Sequence, residues 1–289
     1  LGVDINGSQE APQLTRFRLS PHPGVRITSL VNRADDIQVA LGLCQSPRIA
    51  PEAGYVSVDI PKERPDLVSW KNVVASVPDE AWPSQVAFPI GIGVDGKLLL
   101  GDFANSNTAH ALVGGCAGSG KSEFLKAMVA SLMARNDPDQ LRLTLIDPKI
   151  LTFGALRGCP YLTDPVIVGL EEAMNTLETA AVEMDIRYQR LADEGFENLS
   201  QRFVAGRCEL PFWVIVVDEY ADLILGDAAA KRAFENLVAR IAQKGRAAGI
   251  HLVLATQRPD ARIVSPLIKA NLPLKVCLKV TNNTNSRII

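Results

Sequence analysis

The sequence predicts an α/β fold: a mainly parallel central sheet covered by helices, preceded by a small α/β domain. Two observations carry this. Apolar runs at 111–113, 141–146, 212–217, 250–255 and 274–280 are short, rich in Val, Ile and Leu, and free of polar alternation. Strands buried on both faces read this way, as in a parallel sheet with helices on each side. Between the runs, 122–135, 170–192 and 228–247 carry helical spacing.

Within 170–192, the residues Leu170, Met174, Leu177, Ala181, Met184, Tyr188 and Leu191 recur every three or four positions. That stripe predicts a helix facing the core. Ahead of this region, 15–19 alternates like a strand with Arg16 and Arg18 on one face. Residues 31–43 read as a short helix preceded by Ser29, and 55–60 alternates again and stops at Pro61. The charged, proline-bounded stretch 61–65 reads as a linker. A domain boundary is therefore placed near residue 66, dividing the chain into 1–66 and 67–289.

Bulk properties exclude several classes. A net charge of −2 rules out a strongly basic, coat-like nucleic-acid binder, though not a protein that grips DNA through a few loops. The 5 cysteines (Cys44, Cys116, Cys159, Cys208, Cys277) are dispersed, with no CxxC pair, which predicts a reducing compartment and no zinc site. No apolar run approaches the ~18 residues of a membrane span. The chain starts at Leu1 without a basic-then-apolar leader, so it is expected to be a fragment whose anchor or targeting signal, where one exists, lies outside it.

Gly115-Cys116-Ala117-Gly118-Ser119-Gly120-Lys121-Ser122 matches GxxxxGK[ST] in full, between an apolar run and a helical stretch. That is the context a phosphate-binding loop (P-loop) requires. Glycines let backbone N–H groups turn toward phosphates, and the helix starting at Lys121 points its positive dipole end at them. Lys121 is expected to reach the β- and γ-phosphates of ATP, and Ser122 to ligate Mg²⁺.

The run Trp213-Val214-Ile215-Val216-Val217 ends in Asp218-Glu219. Asp218 falls beside the Mg²⁺ coordination sphere, and Glu219 is placed to polarise the attacking water. After another buried run, Gln257 opens onto the same crevice at the carboxyl edge of a parallel sheet. It suits a contact to the γ-phosphate or the water, although an ordinary loop glutamine explains it equally well.

Several segments together resemble the motor region of the FtsK/SpoIIIE family of DNA translocases. They are Thr15-Arg16-Phe17 with Pro23-Gly24-Val25, then Leu145-Ile146-Asp147-Pro148-Lys149, then MDIRYQRLADEG at 184–195. The most specific is ARIAQKGRAAGIHLVLATQRP at 239–259, and Leu267-Ile268-Lys269-Ala270-Asn271 and Ser286-Arg287 continue the register. The resemblance implies a RecA-like P-loop NTPase that forms a hexameric ring in the bacterial cytoplasm. Driven by ATP, such a ring pumps double-stranded DNA through its channel, and any membrane tether comes from segments outside this chain. It also implies that Arg246 is an arginine finger reaching the γ-phosphate of a neighbouring subunit; without it, a solvated helix charge is an equal reading. Arg258, Lys269 and Arg287 match DNA-facing positions.

The chain departs from the family pattern in three places. His110-Ala111-Leu112-Val113 stands where Pro-His-Leu-Leu-Val is usual, which is a neutral change. Asn283 falls where a phosphate-contacting lysine is common, and the family's motor fold continues beyond the position of Ile289. The rival expectations are a secretion or conjugation ATPase whose cargo is protein, a DNA-scanning motor of a defence system, and a degenerate nucleotide-gated scaffold. Intact Lys121, Asp218 and Glu219 argue against the last.

Overall fold

The computed structural model describes residues 2–289 and divides them into two compact units. Of the described residues, the first comprises those up to 76 together with 89–100, the second 77–88 and 101–289.

In the first unit, β1 (Val3–Glu10), β2 (Leu14–Pro21), β3 (Arg48–Glu52) and β4 (Tyr55–Pro61) form a 4-stranded antiparallel sheet in the order β1-β2-β4-β3. Leu30, Ile49, Val56 and Val58 make its core. Arg16 and Asp59 sit opposite each other across β2 and β4, where the guanidinium forks onto both carboxylate oxygens at 2.6 and 2.8 Å. The helix expected over 31–43 is instead two helices, α1 (Ile27–Val31) and α2 (Ala34–Leu41). Asn32 N–H makes the last i→i−4 bond of α1, to Thr28 O at 3.1 Å, and Arg33 N–H turns instead to Leu30 O at 3.0 Å, a tighter i→i−3 bond at which the α-helical ladder stops. Helix α3 (Trp70–Ser76) closes the first stretch of this unit. Strands β5 (Ala87–Ile92) and β6 (Leu98–Asp102) pair as a hairpin at the points where the chain passes between units.

The second unit is built on a 5-stranded sheet of β7 (Ala111–Gly114), β8 (Leu141–Ile146), β9 (Phe212–Val217), β10 (Ile250–Thr256) and β11 (Leu274–Cys277). Its order is β11-β7-β10-β9-β8 and every pairing is parallel. All residues of β9 and β10 are buried, so both faces are covered, as the unalternating apolar runs require. The run expected to 280 leaves the ladder at Cys277. Its partner β7 ends at Gly114, so Leu278 N–H and Lys279 C=O bond to Gly114 and Cys116 of the glycine-rich turn instead.

The helices of this unit are α4 (Lys121–Ala134), α5 (Leu170–Glu194), α6 (Leu199–Val204), α7 (Tyr220–Ile224), α8 (Ala228–Ala248), α9 (Pro266–Asn271) and α10 (Asn283–Ile288). In α5, Leu177, Ala181, Met184 and Leu191 are buried, and Leu170, Met174 and Tyr188 pack against the same core. The long helices end where glycine can adopt a left-handed backbone: α5 at Gly195 (φ 79°) and α8 at Gly249 (φ 69°). Two neighbours on α5 pin the last turn of α8. The buried Arg187 donates to Ala248 O at 3.0 Å and Pro211 O at 2.8 Å, and the Tyr188 hydroxyl donates to Lys244 O at 2.8 Å. Among the described residues, no helix is long and apolar enough to cross a membrane.

Candidate active site

Parallel register brings the site together. Gly114 pairs with Thr256, Leu254 with Val217, and Val217 with Ile146. The residues that follow these strands, Gly115, Asp218-Glu219 and Asp147, therefore emerge side by side at one carboxyl edge of the sheet.

The turn between β7 and α4 is held at both flanks: Gly115 N–H donates to Thr256 O at 3.2 Å and Cys116 N–H to Lys279 O at 2.8 Å. Gly118 (φ 73°) and Gly120 (φ 90°) adopt left-handed conformations that a side chain would strain. At Gly115 a Cβ would collide with the Ser119 hydroxyl and approach Leu278 Cβ to 3.0 Å. No side chain caps α4, so its first N–H groups and dipole face the cradle of residues 115–120. The arrangement fits an anion the size of a polyphosphate.

Lys121 is buried and donates from Nζ to Asp218 Oδ1 and to Asp218 O, both at 2.5 Å. The Thr152 hydroxyl lies 2.8 Å from Asp218 Oδ2 and 3.0 Å from Ser122 Oγ. Ser122 and Asp218 are thus drawn to one place, with oxygen donors only. Among the described residues no three His, Cys, Asp or Glu side chains cluster as a metal site. One hydroxyl and one carboxylate nonetheless suit Mg²⁺, which fills its remaining octahedral positions with phosphate oxygens and water.

Glu219 is buried at the start of α7. One carboxylate oxygen accepts the Thr256 hydroxyl at 2.6 Å and the other accepts Gln257 N–H at 2.6 Å. Burial pushes its pKa up, and the two hydrogen bonds pull partly against that. Gln257 thus meets Glu219 through its backbone, and its half-buried side chain stands on the loop leaving β10.

Sequence reasoning misses three contributors. Asp147 is buried and takes N–H bonds from Lys149, Thr152 and Phe153 at 3.2, 2.8 and 3.2 Å. It thereby folds 147–153 back toward the P-loop and delivers Thr152. Lys149 pairs with Asp222 at 2.8 Å, a hydrogen bond that raises the lysine's pKa. The Asp147-Pro148-Lys149 segment is the one available signal, and nothing in it points to Thr152.

Arg246 is not part of this cluster. It is exposed in the last turn of α8, just before β10 begins, and its guanidinium lies 3.4 Å from Ala104 O. The 7 residues of β10 separate it from the carboxyl edge, about 20 Å at ~3.3 Å per residue. Arg258 is exposed on the loop after β10, its N–H donating to the Thr256 hydroxyl at 3.0 Å. Lys269 of α9 and Arg287 of α10 meet, the lysine Nζ donating to Arg287 O at 3.3 Å.

The fold and the paired motifs define a P-loop ATPase domain. A family model described as the FtsK/SpoIIIE family matches residues 72–261, and one for the FtsK alpha domain matches residues 1–62. The chain belongs to the FtsK/SpoIIIE family. It is 34% identical over 300 residues to a protein of Lactiplantibacillus plantarum named DNA translocase FtsK, covering 99% of this chain and 37% of that relative. A solved structure of the pCW3 conjugation coupling protein TcpA with ATPγS aligns over 100% of this chain and 80% of its own, with TM-score 0.63 and 20% identity. The cytoplasmic domain of the Thermomonospora curvata type VII secretion ATPase EccC aligns over 74% of this chain and 26% of its own, with TM-score 0.56 and 27% identity.

Proposed function

We propose that this chain binds ATP with Mg²⁺, hydrolyses it, and couples hydrolysis to movement of double-stranded DNA as one subunit of a hexameric ring in the bacterial cytoplasm. The observation that carries the chemistry is the convergence of Lys121, Ser122, Asp218 and Glu219 at one carboxyl edge. In this reading the 115–120 cradle and the start of α4 take the phosphates. Lys121 turns from Asp218 onto the β- and γ-phosphates, and Ser122 and Asp218 hold Mg²⁺, which draws charge off the phosphoryl oxygens. Glu219 orients the attacking water and accepts its proton, and Gln257 stands beside the γ-phosphate.

Arg246 supports the ring. At the opposite end of β10 it is out of reach of its own P-loop, so a phosphate contact falls to the site of a neighbouring copy. Arg258, Lys269 and Arg287 are the basic groups assigned to DNA. Support for a DNA cargo comes from the match to the FtsK alpha domain and from relatives named DNA translocase. The test is ATP hydrolysis with and without double-stranded DNA: stimulation is expected, and equal rates would sink the translocase reading. A protein cargo is the second reading, favoured by the likeness to EccC. Stimulation by a peptide substrate but not by DNA would select it.

A further inference from the structure

We propose that Thr152 is a positioning residue for the Mg²⁺ site, setting the orientation of both protein ligands; this rests on the reading that Ser122 and Asp218 hold the metal. The direction of the hydrogen bonds follows from what each group has to offer. An ionised carboxylate only accepts, so the single Thr152 hydroxyl proton goes to Asp218 Oδ2, 2.8 Å away. The 3.0 Å contact between Thr152 Oγ1 and Ser122 Oγ has the geometry of donation by Thr152; once that single proton is committed to Asp218, Thr152 presents only lone pairs there and Ser122 turns its own proton to Thr152. A hydroxyl that ligates a cation must keep its proton off the metal. The chain Ser122–Thr152–Asp218 does this, and the bond to Oδ2 also sets the rotation of the Asp218 carboxylate.

Thr152 is rigidly delivered to this role. It is buried, and its backbone N–H is held by Asp147 Oδ2 at 2.8 Å. Two residues earlier, Ile150 adopts φ 55°, a left-handed conformation costly for a β-branched side chain and kept only where the surroundings enforce it. Asp147 supplies that enforcement through its bonds to Lys149, Thr152 and Phe153. A strained, side-chain-braced turn thus places one hydroxyl between the two ligands.

The test is ATPγS binding by the full chain as a function of Mg²⁺ concentration, with an EDTA arm. Thr152→Val keeps the shape and removes the hydroxyl. It is expected to raise the Mg²⁺ concentration for half-maximal binding about tenfold or more, as loss of a group that orients a metal ligand does. Binding in EDTA is expected to match the unaltered chain, and Thr152→Ser to restore the Mg²⁺ response. If Thr152→Val does not fold, Thr152→Ala against Thr152→Ser isolates the hydroxyl in the same assay. An unchanged Mg²⁺ midpoint in Thr152→Val, or a Thr152→Ser as impaired as the valine, overturns the role of Thr152 alone. An unaltered chain whose ATPγS binding ignores Mg²⁺ overturns the metal reading together with it.

Discussion

Glu219 and Thr256 are joined by a buried 2.6 Å hydrogen bond between a carboxylate two residues beyond β9 and the hydroxyl that ends β10. Two opposing effects act on that carboxylate. Burial raises its pKa, while the Thr256 hydroxyl and Gln257 N–H stabilise the charged form and lower it. A base that accepts a proton from water must be ionised, so activity rises with pH through the Glu219 pKa. Removing the Thr256 donor leaves burial less opposed and lifts that pKa further. Thr256→Val is therefore expected to move the acidic limb of the kcat–pH profile to higher pH. Glu219→Gln should lower kcat at every pH by about 10²-fold or more, with ATP binding retained. A Thr256→Val profile superimposable on the unaltered one would refute the coupling.

Arg246 carries the second prediction. It lies at the far end of β10 from its own P-loop, on a helix turn held by Tyr188 and Arg187 through the carbonyls of Lys244 and Ala248. Arg246→Ala should lose about 10³-fold or more in hydrolysis rate while binding ATP normally. Mixing Arg246→Ala with Lys121→Ala should recover some activity, because a ring then contains interfaces with one intact P-loop and one intact finger. Two inactive variants that stay inactive when mixed would refute an arginine that acts across the subunit interface.

Motif residues and hidden residues differ in how they are encoded. Lys121 and Ser122 sit in one contiguous stretch, and Asp218 and Glu219 directly follow a buried strand, so linear spacing suffices to place them. The parallel sheet is likewise legible, because β9 and β10 carry apolar side chains to both faces. Thr152 is not legible. Its position depends on Asp147 folding the following loop back and on Ile150 taking a left-handed turn that its β-branched side chain disfavours. No local propensity announces either. The break at Asn32 and the early end of β11 escape notice for a related reason. Both are settled by which backbone groups find partners, Arg33 N–H with Leu30 O and Leu278 N–H with Gly114 O.

Gly245 supplies a stability test next to the candidate finger. In an exposed helix interior, Gly→Ala ordinarily gains about 1 kcal/mol. Here a Cβ would run into the Ile250 carbonyl oxygen and come within 3.3 Å of His110 Cε1. The carbonyl belongs to the first residue of β10 and cannot swing aside as a flexible side chain does. Gly245→Ala should therefore destabilise by about 1–3 kcal/mol in denaturant unfolding. It should also displace the adjoining Arg246, so hydrolysis should fall more than ATP binding. A stabilised Gly245→Ala would show that α8 and β10 are free to separate.

His110 and His251 give the pH dependence of folding. They lie with ring centroids 6.0 Å apart, and His251 stacks on Phe103 at 5.2 Å. His110 Nδ1 accepts the Leu252 N–H at 3.1 Å, a bond that protonation there would abolish. Burial, the first cause for both, lowers His110 to about 4 and His251 to about 3 from an ordinary 6.5. Above pH 6.5 both are neutral whether the chain is folded or not, and their contribution is complete. As pH falls below 6.5, the unfolded chain takes up protons that the folded chain refuses. Stability then drops by about 1.4 kcal/mol per pH unit for each histidine, until the folded groups titrate near pH 4 and 3. Denaturant unfolding at pH 7.5, 6.0 and 5.0 should show this loss. Since carboxylates also respond to acid, the decisive comparison is with His251→Phe, which keeps an aromatic ring on Phe103 and removes one titrating site. Its stability should fall less steeply between pH 6.0 and 5.0 than that of the unaltered chain, and parallel slopes would show that His251 does not oppose protonation in the fold.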